Sequence, residues 1–393
     1  MGAGPAELHA RVGAMPEAGR PLLWFHGASA GEMAAAGRLT AALRAHGYRF
    51  TAAYTATNRA GVEFIGRTEP HAVAAFAPWD HPRWVGRALD QWQPHGLFLV
   101  ETELWPRLIL EARRRDIPVF CVSARVYPRD VARYRLIRSL TVPMLGRLTG
   151  IFVQSDLERQ RFITLGAAPE RCMVSGNLKY LAGAASAVAE MSLRNELAVD
   201  GAHRVVVCGS VHTDEVPFVC AALARLSGDD IRVIIAPRHA SAVGTIIREC
   251  RERNWRVHLR SAGRPAADWR VIVLDRMGDL ARAYAIASVA VVGGGFGKHG
   301  GHNPLEPVMT GTPVIFGPHF GHFESEALAL AALVPEAQVD SAPQLGQRLA
   351  EWLASEPHRG RVVELQRQAV PDGAAIARRY IDALRPWLGG LQA

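Results

Sequence analysis

Two blocks of short apolar runs alternating with helix-forming stretches dominate this chain, and such alternation closes as a parallel sheet flanked by helices. In the first block, residues 21–27 (PLLWFHG), 50–55, 71–76, 96–101 (GLFLVE), 118–123 and 150–154 read as strands. Residues 30–46, 104–114, 133–147 and 157–165 read as helices. The pattern fades after Tyr180: residues 181–189, rich in Ala and Gly, read as a linker running into a helix. It resumes with strands at 204–208 (RVVVC), 231–236 (IRVIIA), 271–274, 288–293 (SVAVVG) and 312–316 (TPVIF). At roughly 100–200 residues per domain, the 393 residues make two domains. The predicted fold is α/β, with two Rossmann-like, doubly wound domains at 1–180 and 181–393, the last helix being able to pack back on the first. Ligands of such sheets bind beyond the carboxyl ends of the strands, and a cleft between two such domains is the expected site.

Composition removes several classes. With 49% hydrophobic and 21% charged residues the chain is neither disordered nor collagenous. No run of 18 apolar residues occurs, so no transmembrane helix is expected. Residues 1–20 lack an apolar core, so no signal peptide is expected. The five cysteines include no CxxC pair, which argues against a disulfide framework or a cysteine zinc site. The expected location is the cytoplasm.

The net charge of +8 calls for an anionic partner: nucleic acid, a membrane surface or a phosphorylated substrate. Ten arginines fall between Arg107 and Arg147, opposed only by Glu111, Asp116 and Asp130. Within that window Arg133, Arg135 and Arg138 interleave with Tyr, Leu and Ile. On a helix this face can lie on an anionic lipid surface, or it can be a solvated face whose arginine stems cover apolar surface. Against this abundance of arginine there are two lysines, Lys179 in GNLKY and Lys298 in GGGFGKHGGHN.

Four segments carry candidate chemistry. Ser29-Ala30-Gly31-Glu32 lies where the first strand turns into its helix, and its small residues admit a ligand to backbone N–H groups. Glu32 falls in the first helical turn, either as a partner of the helix dipole or as a general base. Glu101 and Glu103 flank Thr102 at a strand's end and point the same way. Thr102 or Glu103 can cap the next helix, which leaves an acid over. Pro237-Arg238-His239 follows a strand, as a phosphate clamp or a surface turn.

The fourth segment, residues 293–306 (GGGFGKHGGHNPLE), follows an apolar strand, and a helix is expected to begin at Asn303-Pro304. Glycine-rich backbone entering a helix is an anion cradle, with Glu306 one turn in, able to accept ribose hydroxyls. The segment contains G-x-G-x-x-G (Gly295, Gly297, Gly300), but the next strand ends at Phe316 without the acid that dinucleotide binding needs. The pairs His299/His302 and His319/His322 lack a carboxylate or cysteine in register, so no metal is expected. No D-x-D occurs, which argues against a metal-chelated nucleotide diphosphate.

In their order these motifs resemble the 3-deoxy-D-manno-octulosonic acid (Kdo) transferases of lipopolysaccharide synthesis. The matching pieces are HGASAGE (26–32), YTATNRAG (54–61), ETELWP (101–106), FVQSDLERQRFITLGA (152–167) and GNLKY (176–180). GSVHTDE (209–215), PRH (237–239), RMGDL (276–280), VGGGFGKHGGHNPLEP (292–307) and GPHFGHF (317–323) follow. The resemblance implies the two-domain GT-B architecture, with an acceptor-binding first domain and a CMP-sugar-binding second domain. It implies inverting, metal-independent transfer of Kdo from CMP-Kdo to the lipid A precursor, without a cofactor and without nucleic acid, at the cytoplasmic face of the inner membrane.

Carried over by motif, Glu32 is the general base, and Glu101 and Lys179 support the transition state. Pro237, Arg238, Met277, Gly278, Asp279, Asn303 and Glu306 bind CMP, with Ser210, Gly301 and His302 beside the donor. Ser29, Gly31, Glu103, Arg133, Arg135 and Arg138 fall to the acceptor and the membrane. Three positions depart from the family pattern: Ala30 in its SVGE, Val211 in its serine-threonine-histidine segment, and Leu181 where an Asp usually follows the lysine-aromatic pair.

Overall fold

The computed structural model describes residues 4–69, 71–181, 187–266, 268–276, 278–321 and 323–392. The chain divides into two compact units, Met1–Gly183 with Pro371–Ala393, and Ala184–Val370.

In the first unit the described residues form a seven-stranded parallel sheet: β1 (Leu22–Gly27), β2 (Thr51–Ala56), β3 (Val73–Phe76), β4 (Gly96–Val100), β5 (Val119–Ala124), β6 (Gly150–Val153) and β7 (Cys172–Val174). Their spatial order is β3-β2-β1-β4-β5-β6-β7. Interleaved are α1 (Pro5–Arg11), α2 (Ala30–Ala45), α3 (Arg59–Thr68), α4 (Pro82–Trp92), α5 (Pro106–Arg113), α6 (Pro128–Leu136), α7 (Arg138–Leu145) and α8 (Asp156–Thr164). Strands β1, β4 and β5 are buried along their whole length, as a parallel sheet covered on both faces demands.

Register places an aromatic row across one face of this sheet. Tyr54, Phe25, Phe98 and Phe120 are direct cross-strand partners. Ring centroids are 5.3 Å apart for Phe25–Tyr54, 4.8 Å for Phe25–Phe98 and 5.2 Å for Phe98–Phe120, and Phe152 continues the row 5.9 Å from Phe120. The last helix, α17 (Gly373–Leu388), belongs to this face. Its buried Ile376, Tyr380, Leu384 and Leu388 recur every four residues, one stripe of a helix. The Tyr380 ring lies 5.7 Å from Phe152, and its hydroxyl accepts from Ser123 N (2.8 Å) and donates to Gly176 O (3.0 Å). Gly176 has φ +95°, and a Cβ there would come within 2.8 Å of Ile376 Cγ1, so glycine lets the helix close down. Residues 371–393, which lie past the boundary drawn at 180, are thus part of the first unit.

The second unit carries a six-stranded parallel sheet among its described residues: β8 (Arg204–Val211), β9 (Ile231–Pro237), β10 (Val257–Leu259), β11 (Val271–Val273), β12 (Val289–Val292) and β13 (Val314–Phe316). Its order is β10-β11-β9-β8-β12-β13. Its helices are α9 (Ala187–Glu196), α10 (Val216–Leu223), α11 (Ala242–Glu252), α12 (Leu280–Ala285), α13 (Leu305–Met309), α14 (Glu324–Leu333), α15 (Ala342–Ala354) and α16 (Glu356–Arg367). In each sheet the strand order reverses at the unit's first long strand: between β1 and β4, and between β8 and β12.

Local expectations change at several points. The helix expected over 133–147 is two helices, α6 and α7, broken at Ile137 (φ −107°, ψ 37°). The Thr141 hydroxyl bridges the carbonyls of Tyr134 and Ile137 across that break, at 3.1 Å each. The helix expected from Asn303-Pro304 begins at Leu305 and runs only five residues, with Pro304 as its N-cap. Strands β7 and β10 and helices α1, α3 and α4 are among the additions to the expected set; both strands are short, partly exposed sheet edges (CMV and VHL), so neither leaves a continuous apolar run. Of the linker read at 181–189, residues 182–186 lie outside the described set.

Candidate active site

The first unit's candidate residues gather where its strand order reverses. Strand β1 ends at Gly27, and α2 starts with Ser29 as N-cap and Glu32 at its third position. Ser29 Oγ accepts from Glu32 N (3.4 Å), and Glu32 Oε2 accepts from the backbone N–H groups of Ser29 (3.3 Å) and Ala28. This reciprocal capping box fixes the carboxylate at the strand–helix junction. The capping role and a half-buried position in a cavity lining therefore coexist in one side chain.

From the neighbouring strand, β4, come Glu101 and Glu103. Glu101 is buried and has φ +58°, a conformation that disfavours a side chain. Both its oxygens are held: Arg125 reaches Oε2 through Nη2 (2.7 Å) and Nε (2.8 Å), and Lys179 Nζ lies 3.1 Å from Oε1. Neither Thr102 nor Glu103 caps the next helix. The Thr102 hydroxyl donates to Arg125 O (2.6 Å), and Glu103 Oε2 accepts from Trp105 Nε1 (2.7 Å). The first amides of α5, at Arg107 and Leu108, instead bond to Asp80 (3.0 and 2.8 Å), 27 and 28 residues away. That long-range cap has no signature in the local sequence.

Ser29, Gly31, Glu32, Glu101, Glu103, Arg133 and Lys179 all line one cavity of about 580 Å³. Arg135 and Arg138 are outside its lining, exposed on α6 and α7. The cavity also takes in Arg125, Tyr127, Tyr134 and Ile137, which sequence reading did not single out. For Arg125 the hints were its place in the Arg107–Arg147 window and just past a strand's carboxyl end.

Electrostatics separate the three acids. Burial pushes Glu32 up to about 7, against the pull of the Ala28 N–H, with Glu101 and Glu103 adding repulsion. Burial also raises Glu103, opposed by the Trp105 hydrogen bond and assisted by Glu101. His26 is buried beneath Glu103, with Nε2 3.7 Å from its Oε2. Burial holds that imidazole down at about 4, so at neutral pH the contact is not an ion pair. Glu101 is matched by two cations, while Glu32 is left as a carboxylate that exchanges its proton near neutrality.

In the second unit the candidates lie at or beyond the carboxyl ends of β8, β9, β11 and β12. Ser210 (φ +56°) is near the end of β8, and Pro237 ends β9 with Val211 as its register partner. Arg238 N donates to Val211 O (2.9 Å), and its side chain is exposed. Gly301, His302 and Asn303 follow β12; Asn303 is buried and its Oδ1 accepts from Leu305 N (3.1 Å). Glu306 is exposed on α13. Gly278 has φ +103°, and Asp279 is paired with Arg260 (3.0 Å) and Arg282 (3.2 Å), which also hold Glu196. Met277 lies outside the described residues.

The glycine-rich segment departs from the anion cradle expected of it. Its backbone donors already hold a carboxylate, that of buried Glu215. Glu215 accepts from the N–H groups of Gly294 (2.7 Å), Phe296 (3.0 Å), Gly297 (3.2 Å) and His212 (3.1 Å). Sequence reading missed Glu215 because it lies 79 residues before Gly294. Three of the segment's N–H groups are thereby taken, and the rings of His212, His299 and His302 lie together against it.

Comparison with known proteins places this geometry. Residues 6–182 match the family described as 3-Deoxy-D-manno-octulosonic-acid transferase (kdotransferase). The chain is 28% identical over 375 residues to the 3-deoxy-D-manno-octulosonic acid transferase of Haemophilus influenzae, covering 93% of this chain and 87% of that one. It is 30% identical over 383 residues to the Bordetella pertussis protein of the same name, with the same two coverages of 93% and 87%. In fold it resembles Anabaena HepE, solved in complex with UDP and glucose, at TM-score 0.65 and 13% identity over 93% of this chain and all of that one. The two parallel-sheet α/β units are those of the GT-B fold. The chain belongs to the 3-deoxy-D-manno-octulosonic acid transferase family, glycosyltransferases of lipopolysaccharide biosynthesis.

Proposed function

We propose that this Kdo transferase moves Kdo from CMP-Kdo to a primary hydroxyl of the phosphorylated, acylated disaccharide precursor of lipid A, inverting the anomeric carbon, with Glu32 as general base and without a metal or cofactor. The observation that carries the reading is the Glu32 carboxylate, fixed by its capping box in the cavity and held near neutrality by burial. A base with a pKa close to the working pH is the most effective.

In the proposed step the acceptor hydroxyl gives its proton to a Glu32 oxygen. The acceptor oxygen bonds to the anomeric carbon from the face opposite the leaving group. The bond from that carbon to the CMP oxygen breaks, and its electron pair leaves on the phosphate. Lys179 offers an ammonium in the Glu32 cavity, and Arg238 offers a guanidinium at the end of β9. Positioned donors aimed at developing charge are each worth about 3 kcal/mol.

The acceptor reading draws on the cavity's Arg125, Arg133 and Lys179, which suit a phosphorylated sugar. Beside it, Leu136, Ile137 and Leu140 are exposed next to Arg133, Arg135 and Arg138. An apolar ridge with a basic rim suits peripheral attachment to the anionic cytoplasmic face of the inner membrane. No helix among the described residues is long and apolar enough to cross a membrane.

The test is a transfer assay with CMP-Kdo and tetraacyl disaccharide phosphate, products weighed by mass spectrometry. Addition of Kdo by the wild type and its loss in Glu32→Gln support the reading. Transfer by Glu32→Gln at near wild-type rate overturns the base assignment, and transfer only from another CMP-activated ulosonic acid overturns the donor.

A further inference from the structure

The second sheet reverses its strand order between β8 and β12, and in doubly wound sheets that crevice is where ligands lie. Each flanking segment places a histidine there. His212 directly follows β8, and His302 lies beyond β12. Their Nε2 atoms are 2.9 Å apart, and the two rings are parallel to within 7°. His299 stacks on His212 at 3.7 Å and 5°, and His239 meets it edge-on at 5.7 Å. The fit is tight: a Cβ on Gly294 would come within 2.8 Å of His302 Cδ2.

A nitrogen–nitrogen distance of 2.9 Å is a hydrogen bond, so one of the two nitrogens presents a lone pair. While that bond stands the pair carries a charge of zero or +1 and never +2. The groups facing it decide between the two states. Asp214 is paired with His299 (2.8 Å), and Glu215 is taken up by four backbone N–H groups. Burial of His212 disfavours a charge on it, His299 and His239 act in the same direction when protonated, and Glu215 and Asp214 oppose them without reversing the balance. These surroundings favour the neutral form of His212, and an arriving oxyanion favours the charged one.

We propose that His212 and His302 form a one-proton oxyanion subsite, neutral when the crevice is empty and protonated once, from solvent, as a phosphate or carboxylate settles against it. This rests on the donor assignment of the second unit, since CMP-Kdo carries both kinds of oxyanion. The subsite makes donor binding proton-linked, and the number of protons taken up cannot exceed one for the pair.

The test is titration calorimetry of the full chain at pH 7.5 to 8.5 in buffers of different ionisation enthalpy, with CMP, cytidine and free Kdo as probes. The expected result is proton uptake with CMP, none with cytidine, and an affinity for CMP that weakens toward about tenfold per pH unit. Uptake with Kdo in place of CMP would assign the subsite to the sugar carboxylate. His302→Gln, which keeps a polar side chain of similar reach, is expected to bind CMP with the uptake abolished. Binding of CMP and Kdo without proton uptake overturns the subsite and leaves the donor reading intact. No binding of CMP, cytidine or Kdo overturns the donor reading itself. An unchanged uptake in His302→Gln overturns the pair as its source.

Discussion

Lys179 Nζ lies 3.1 Å from Glu101 Oε1, and through that contact one of the chain's two lysines closes a three-residue charge cluster with Arg125. Glu101 is the hub. Glu101→Ala leaves Arg125, which is largely buried, without its carboxylate, and is expected to cost about 3–5 kcal/mol. Lys179→Ala leaves the Arg125–Glu101 pair in place and is expected to cost about 1 kcal/mol or less. Chemical denaturation of the two variants checks the order; equal losses would show that Glu101 is not the shared element.

Glu32 links stability to pH with a definite sign. Its folded pKa is raised from 4.5 to about 7, so the stability it contributes is present below 4.5 and is lost as pH rises through 7. Glu32→Gln keeps an acceptor for the Ala28 amide but never ionises. It is expected to match the wild type near pH 4.5 and exceed it at pH 8 by on the order of 1–3 kcal/mol. Transfer should fall by about 10²–10⁴-fold in the same variant. Wild-type transfer should rise with pH through about 7, the range set by Glu32. Thermal melts and initial rates across pH 4.5–8.5 check both trends, and a Gln variant less stable than wild type at pH 8 would contradict the first.

Tyr380 ties the last helix to the first unit by two hydrogen bonds. Tyr380→Phe leaves the buried Ser123 amide without its acceptor and is expected to destabilise by about 1–3 kcal/mol. Leu384→Ala, at a fully buried position of the same stripe, is expected to cost about 2–5 kcal/mol. Urea titrations followed by tryptophan fluorescence give both values.

If the ridge at Leu136–Leu140 meets lipid, charge reversal at Arg133, Arg135 and Arg138 should release the protein from anionic vesicles. About 1 kcal/mol per arginine predicts a loss of more than a hundredfold in partitioning for the triple glutamate variant. Sedimentation with phosphatidylglycerol-containing vesicles measures it; unchanged binding would remove this segment from the membrane reading.

Both sheets were legible because parallel strands buried on two faces leave continuous apolar runs, as in LLWFHG and RVVVCGSV. The ends of these strands were legible too, since chemistry-bearing residues such as Glu32, Glu101 and His302 stand where apolar runs stop. What the sequence hid were partnerships over distance. The cap of α5 is Asp80, the carboxylate inside the glycine-rich segment is Glu215, and the second cation on Glu101 is Arg125. Each depends on which strands neighbour one another, and strand order is not written in local pattern. The break at Ile137 was hidden for another reason: its residues are ordinary helix formers, and the released carbonyls are claimed by a threonine four positions on.

The return of α17 to the aromatic face has a practical corollary for anyone dissecting this enzyme. A gene fragment ending near codon 183 would encode a sheet whose row of phenylalanines lacks its cover, and such a fragment should aggregate. The complementary piece would carry a stray amphipathic segment at its tail. Cutting at 183 and 370 instead, and splicing the terminal helix onto the first piece through a flexible tether, is the arrangement under which each half keeps its own interior dry.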